Sequence, residues 1–262
     1  MTSPWEAIRS ARVYDLEQPR YPGAPVFPSH EPGGNLFLHR RHEATAPERR
    51  TGASGVLVIT EHSGTHIDAL CHQAWDMEMH GGVRVDAAVQ TPGGFTALGM
   101  ETVAPIVRRG VLLDAARHAG MERLPAGSAV EDLAAVAEAQ GVEVREGDAV
   151  LVRTGSGAVW ADRAAYEAGA GVGVAASRWL AERRPFLVGA DNLAWDLPDR
   201  PDPELGSVPG HVVLIVRAGI HIIESLFLED LARDERWEFA FVCLPLKVRG
   251  GTGSPVRPIA LA

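Results

Sequence analysis

Three histidines and one aspartate fall within eleven residues of the stretch Glu61-His62-Ser63-Gly64-Thr65-His66-Ile67-Asp68-Ala69-Leu70-Cys71-His72. Imidazole and carboxylate without thiolate make a borderline-to-hard ligand set, suited to Zn²⁺ or Mn²⁺, with Fe²⁺ also accommodated. On a helix, His62 and His66 would share a face, but Asp68 would sit about 200° further round than His66 and point away. In an extended chain His62, His66 and Asp68 share parity and therefore a face. A straight strand would still spread the outer pair by ~20 Å at about 3.3 Å per residue. Ligands at roughly 2.0–2.2 Å from one ion cannot be so far apart. The chain must bend, and Ser63-Gly64 is where a bend costs least. The expectation is a strand ending near His62, a glycine bend, then His66 and Asp68 turned back to the same point. The bland alternative is a polar loop in which each histidine satisfies a neighbour. A His, His, Asp, His set following an apolar strand favours metal binding over it.

A second polar pair lies downstream, where His211 opens one apolar run and Glu224 closes another. Both are costly on a buried strand unless paired or liganding. Taken alone, the pair is better read as a strand mouth at His211 and a solvated helix start at Glu224.

The elements that must position these groups are legible in outline. Residues 55–60 form a short β-branched run, expected as a buried strand feeding the histidine cluster. Further strands are expected at 110–114, 148–153, 185–189, 211–216 and 239–245. Helices are expected at 131–140, stopped by Gly141, and at 172–182. Residues 11–50 are rich in Pro, Gly and Arg and read as extended segments and loops. Strands and helices mix without a clean strand–helix–strand rhythm, and no repeat or long linker divides the chain. One domain of α/β (α+β) class over residues 1–262 is the reading.

Composition removes several functions. The chain has 262 residues, with 34 Asp+Glu against 25 Lys+Arg and a formal net charge of −9. An acidic balance argues against a nucleic-acid or anionic-membrane partner. Lys247 is the sole lysine, so Schiff-base chemistry has a single candidate. Two cysteines cannot build a disulfide framework or a four-cysteine zinc site, which suits a reducing compartment. The start, Met1 to Glu6, lacks a basic region followed by an apolar core. The best membrane-span candidate, 212–228, is broken by Arg217, His221 and Glu224. A soluble, cytoplasmic protein is expected.

The run His62 to His72, read as His-x-Gly-Thr-His-x-Asp-Ala-x-x-His, resembles the signature of the cyclase-like metal-dependent hydrolases, a family that includes kynurenine formamidases and isatin hydrolases. Tyr14-Asp15-Leu16, 109–114, Gly189-Ala190-Asp191-Asn192 and 250–258 look like further family segments. At Ala69-Leu70-Cys71 the formamidases usually carry a proline after the alanine, so the chain sits closer to the longer members. The resemblance implies a swivelling β/β/α domain with a mixed central sheet, usually assembled as a homodimer. It implies His62, His66 and Asp68 as metal ligands, with Asp68 able to bridge two ions, and His211 and Glu224 completing a second site. His72 matches the general acid/base. The cofactor is then Mn²⁺ or Zn²⁺, as one or two ions, and the substrate a small linear or cyclic amide opened by activated water.

Phe27, Trp75 and Trp195 are candidate walls for an aromatic substrate, with core packing the competing role. Cys71 reads as a small buried apolar group, and Asp191-Asn192 as a turn or a pocket edge. The glycine-rich 250–258 stretch does not fit a phosphate-binding loop, and the resemblance implies a structural loop near the site. His30, His39, His42, His80 and His118 read as surface or loop residues, and His221 has no assigned role. Two rivals remain. One is a non-haem Fe(II) oxygenase using a His66, Asp68 and His211 triad. The other is a non-catalytic metal-binding member of the same family.

Overall fold

Four apolar runs that would be insoluble on a surface form the middle of a nine-stranded mixed sheet in the computed structural model, which describes residues 3–44 and 49–262. Met1 and Thr2, part of the start read for a leader, and 45–48, inside the loop-rich stretch, lie outside the described residues. In chain order the strands used below are β1 (Val13–Asp15), β2 (Gly34–Arg40), β3 (Ser54–Ile59), β4 (His66–Asp68), β5 (Ile106–Asp114), β6 (Ala149–Arg153), β7 (Leu187–Ala190), β8 (His221–Glu224), β9 (Glu238–Cys243), β10 (Gly253–Pro255) and β11 (Ile259–Leu261). The sheet order is β1-β11-β9-β5-β6-β7-β8-β4-β10. Strands β5 to β8 run parallel to one another, and the outer neighbours pair antiparallel. Continuous apolar sequence is what a parallel strand covered on both faces requires.

Strand parity divides the core in two. Leu112, Leu151, Leu187 and Ile223 join one buried cluster with Met79, Met100, Leu228 and Phe241. Val111, Leu113, Val150, Val152, Val188 and Ile222 face the other way, onto Leu133, Val136, Leu180, Leu214 and Ile215 of the helices. Those helices are Leu133–Gln140, capped by Asp132 and ended by left-handed Gly141, and Val174–Arg183. A third helical segment, 209–218, completes the layer. The opposite face is covered by the segment 71–103, through side chains such as Val83, Val89 and Phe95. The architecture is thus the mixed α/β sheet expected, and its central four strands are joined in regular strand–helix–strand order, contrary to the irregular mixture read from the sequence.

Two further expectations fail. The 211–216 run is helical: a turn at Pro209–His211 continues into a π-helix at Val212–Ala218. An apolar run of that length fits a buried helix as well as a buried strand. The signals that decide it are Pro209 at the first helical position and Gly219, left-handed at φ 69°, just past the end. The second failure concerns β3, which does not enter the main sheet. It pairs with β2 in a two-stranded ribbon, and Leu36, Phe37, Leu38, Val56, Leu57 and Val58 are each about half exposed. No described helix is long and apolar enough to cross a membrane.

Candidate metal centre

The bend after β3 is where the site begins. Gly64 adopts φ 58°, and the Arg20 guanidinium donates to the carbonyls of Ser63 and Thr65 on either side of it. The chain then enters β4, where His66 and Asp68, two residues apart, share a face. Strand β8 lies alongside with Glu224 opposite His66, and β10 lies on the other side with Gly253 opposite Asp68. His211 reaches the same point from the end of its helical turn. Ser225 (φ 56°) and Trp195 (φ 50°) flank Glu224 and Asp196 in left-handed backbone that non-glycine residues rarely adopt. Such strain collects where a site over-determines its chain.

Four donors converge in this space. His66 Nε2 is 3.6 Å from Asp68 Oδ1 and 3.4 Å from Glu224 Oε2. His211 Nε2 is 3.7 Å from Asp68 Oδ2 and 3.3 Å from Glu224 Oε1. Charge-assisted hydrogen bonds would draw such pairs to about 2.7–2.9 Å. Two donors on one tetrahedral ion at about 2.1 Å stand about 3.4 Å apart. Asp68 Oδ2 and Glu224 Oε1 are buried without any hydrogen-bond partner, a costly state that a cation relieves. The residues therefore fit a divalent ion. His62, His66 and Asp68 form a compact donor group, as do Asp68, His72 and His211.

Supporting contacts aim the imidazoles. His66 Nδ1 donates to Gly64 O at 2.7 Å, which turns Nε2 toward the carboxylates as a lone pair. His211 Nδ1 meets Asp196 Oδ2 at 2.7 Å, doing the same for its Nε2. His221, unassigned from the sequence, uses Nδ1 to hold the Asp68 carbonyl at 2.8 Å. Burial pushes the His66 pKa down to about 3, so this ring is neutral and ready to donate its lone pair. Burial also opposes charge on His211, but Asp196 and Glu224 outweigh it and hold its pKa well above the usual value. For Asp68 burial is outweighed by the surrounding imidazoles, beginning with His72, and its pKa falls. Burial, opposed by His211 and assisted by the charge of Asp68, raises Glu224 to about 7.

His72 stacks on His62 at 4.0 Å between ring centroids, and burial lowers its pKa well below 6.5. Its ring hydrogen-bonds to no described protein group. His30, read from the sequence as a loop residue, belongs beside the site: it stacks on His62 at 4.7 Å and lies 5.9 Å from His72. The His62 ring is within 30° of parallel to both neighbours. The stack covers the centre, and within it His62 turns Nδ1 to Asp68 Oδ1 at 2.8 Å. Nothing in the Pro-rich segment around His30 signals that placement.

Of the three aromatic candidates, Phe27 lines a cavity of about 450 Å³ with Tyr166, Asn192, Ala194, Asp196 and Leu197. Trp195 does not: it is fully buried in the core, with its indole nitrogen donating to Ser177 Oγ. The tryptophan faces away because the left-handed turn at 195 points Asp196 toward His211. Trp75 stands 42% exposed on a turn with Glu78 and does not line that cavity. Asp191 is fully buried and accepts from Thr154 and Gly155, tying down the loop after β6. Cys71 is a buried thiol pushed up to about 12 by burial, which suits packing. The 250–258 stretch supplies β10 itself, at the edge beside β4.

Comparison with known proteins agrees with this geometry. A family described as "Putative cyclase" matches residues 14–197. Cyclase-like protein 3 of Oryza sativa subsp. japonica is 33% identical over 86 residues, 32% of this chain and only 28% of that relative's length. A solved structure described as a novel cyclase superposes with a TM-score of 0.84 at 29% identity, covering 98% of this chain and 89% of that one. Isatin hydrolase A from Ralstonia solanacearum has the same fold, with a TM-score of 0.77 at 23% identity over 100% and 98% of the two chains.

Proposed function

The chain belongs to the cyclase family, and from that premise we propose that it is a metal-dependent hydrolase of a non-peptide C–N bond, in a cyclic amide such as isatin or an N-formyl aryl amide such as N-formylkynurenine. The observation that carries this reading is the convergence of His66, His211, Asp68 and Glu224 on one buried point, with a carboxylate oxygen of each acid left unpartnered. Isatin hydrolases among the proteins of the same fold support the cyclic amide.

His66, His211, Asp68 and Glu224 would hold a divalent ion, Mn²⁺ or Zn²⁺, which would polarise the substrate carbonyl and lower the pKa of water to about 7. The protein does the rest. Neutral His66 and anionic Asp68 and Glu224 set the charge of the centre, and His62 packs beside them. His72, neutral because it is buried, accepts a proton on a free ring nitrogen and returns it to the leaving nitrogen. The cavity lined by Phe27, Tyr166 and Ala194 takes the apolar body of the substrate and keeps water from it. Glu224 gives the site a fourth protein donor, where a facial-triad oxygenase keeps three and leaves positions open for oxygen.

Metal analysis of the purified protein, combined with a hydrolysis screen of isatin, N-formylkynurenine and cyclic imides, tests the reading. Hydrolysis without oxygen uptake, lost to a chelator and restored by Mn²⁺ or Zn²⁺, is expected. Dependence on oxygen and 2-oxoglutarate would instead establish the oxygenase. Metal-replete protein with His72 intact and no turnover on any of these amides would establish a non-catalytic member.

The β2–β3 ribbon bears on the working state. A lone two-stranded ribbon is marginal in water, and this one carries apolar side chains on both faces. We further propose that a second copy of the chain covers it, giving a homodimer. Both cysteines are free and buried, which suits a cytoplasmic enzyme.

A further inference from the structure

His62 differs from the other two imidazoles of the centre in what holds it. Its Nε2 lies 2.8 Å from Thr252 Oγ1, and its Nδ1 lies 2.8 Å from Asp68 Oδ1. Thr252 is itself tied to Glu61, whose Oε2 accepts from the Thr252 amide at 3.0 Å and from the Thr252 hydroxyl at 2.6 Å. A hydroxyl has one hydrogen, and a carboxylate only accepts. The Thr252 hydrogen is therefore committed to Glu61, and Oγ1 offers His62 nothing but lone pairs. His62 Nε2 must be the donor in that contact. In a neutral ring the lone pair then sits on Nδ1, facing Asp68.

We propose that Glu61 and Thr252 are positioning residues that fix the His62 tautomer, so that Nδ1 is the atom His62 presents to the metal. The proposal rests on the reading of this site as a metal centre. A ring lone pair facing a carboxylate oxygen at 2.8 Å is repulsive by itself, and a divalent ion would satisfy both atoms.

The loop carrying Thr252 is cut to fit this relay. A Cβ on Gly251 would come 2.7 Å from Glu61 Oε1, and one on Gly253 would come 2.6 Å from His62 Cε1. Glycine on both sides of Thr252 lets the carboxylate and the imidazole approach it from opposite directions. The Thr252 carbonyl accepts from the Ala69 amide at 2.9 Å, which anchors the relay to the end of β4. Orientation of a liganding imidazole through its second nitrogen is typically worth about 10–100-fold in metal affinity.

The test uses the whole chain with Zn²⁺ as the probe. Zinc affinity is measured by calorimetry for wild type, Thr252→Val, Thr252→Ser and Glu61→Ala, and nitrogen-15 spectra of the histidine rings are recorded with and without zinc. We expect a hydrogen on His62 Nε2 in both wild-type states, about 10–100-fold weaker zinc binding in Thr252→Val, and recovery in Thr252→Ser. Glu61→Ala should fall between them, since it frees the hydroxyl without removing it. Unchanged zinc affinity in folded Thr252→Val, or a bare Nε2 on wild-type His62, overturns the proposal. Wild-type protein that takes up no zinc overturns the metal reading itself, and the metal-free spectrum at a pH where the His62 ring is neutral then still decides the tautomer.

Discussion

Glu224 stands directly across the β8–β4 pair from His66, and its Oε2 lies 3.4 Å from His66 Nε2. The two side chains come from strands more than 150 positions apart, yet a single register fixes their meeting. The other oxygen of Glu224 is 3.3 Å from His211, so one carboxylate spans both imidazoles. Replacing it with an amide keeps the shape and removes the charge. Glu224→Gln should weaken binding of Mn²⁺ or Zn²⁺ by at least about tenfold, no less than the loss of an outer supporting contact. Metal content after dialysis against a graded chelator checks this, and full retention would remove Glu224 from the ligand set.

Gly253 faces Asp68 across β10–β4, and any Cβ there would overlap the His62 ring. Gly253→Ala should displace that ring and lower metal affinity while leaving the fold intact, because the atom it meets is a side chain. An unaltered metal affinity, with a thermal midpoint close to wild type, would show that the His62 ring has room to yield.

The His72 ring lies beside these donors, stacked on His62, and makes no hydrogen bond to a described protein group. His72→Ala should retain metal and lose about 10²–10⁴-fold in kcat, the usual range for a general acid or base. Loss of metal together with activity would make His72 a ligand.

Metal binding should depend on pH in a defined direction. Without metal, His62 and His211 have pKa values above their usual 6.5, and Glu224 titrates near 7. These groups hold protons near neutrality that the ion must displace. The bound state carries fewer protons than the free state, so raising the pH favours binding. Affinity should climb between about pH 6 and about pH 8, and calorimetry in buffers of different ionisation enthalpy should register proton release. His66, pushed to about 3, contributes none of those protons. Affinity that is flat across this range would contradict the assigned protonation.

The apolar β2–β3 ribbon predicts an assembly. Light scattering should give twice the mass of the 28.0 kDa chain. Leu57→Asp, on a residue 56% exposed in the isolated chain, should shift the protein toward monomer with little change in secondary structure. A wild-type monomer at micromolar concentration would leave the ribbon without the cover proposed for it.

The local part of the site was legible in the chain alone. His62, His66 and Asp68 lie within seven residues, so parity, reach and the cost of a bend suffice to bring them together, and Gly64 turns where a turn is cheapest. The core strands were equally readable, since an uninterrupted apolar run has few places to go. His211 and Glu224 drew notice only as polar residues at the ends of apolar runs and through family likeness. Neither the helical state of 211 nor the strand position of 224 followed from that. Asp196 carries no sequence signal, and the pairing of Glu61 with Thr252 carries none either, because its value lies wholly in what the two side chains touch.

Non-local pairing decided the rest. The same kind of β-branched run is buried in β6 and exposed in β3, and only the identity of its neighbours distinguishes the two. Trp195 is core and Phe27 lines a cavity, a difference that residue type does not encode. Sequence by itself determined which groups could bind a metal and how the nearest of them must fold back. Tertiary structure decided which distant groups complete the set, because strand register and burial are properties of contacts between segments, and no single segment contains them.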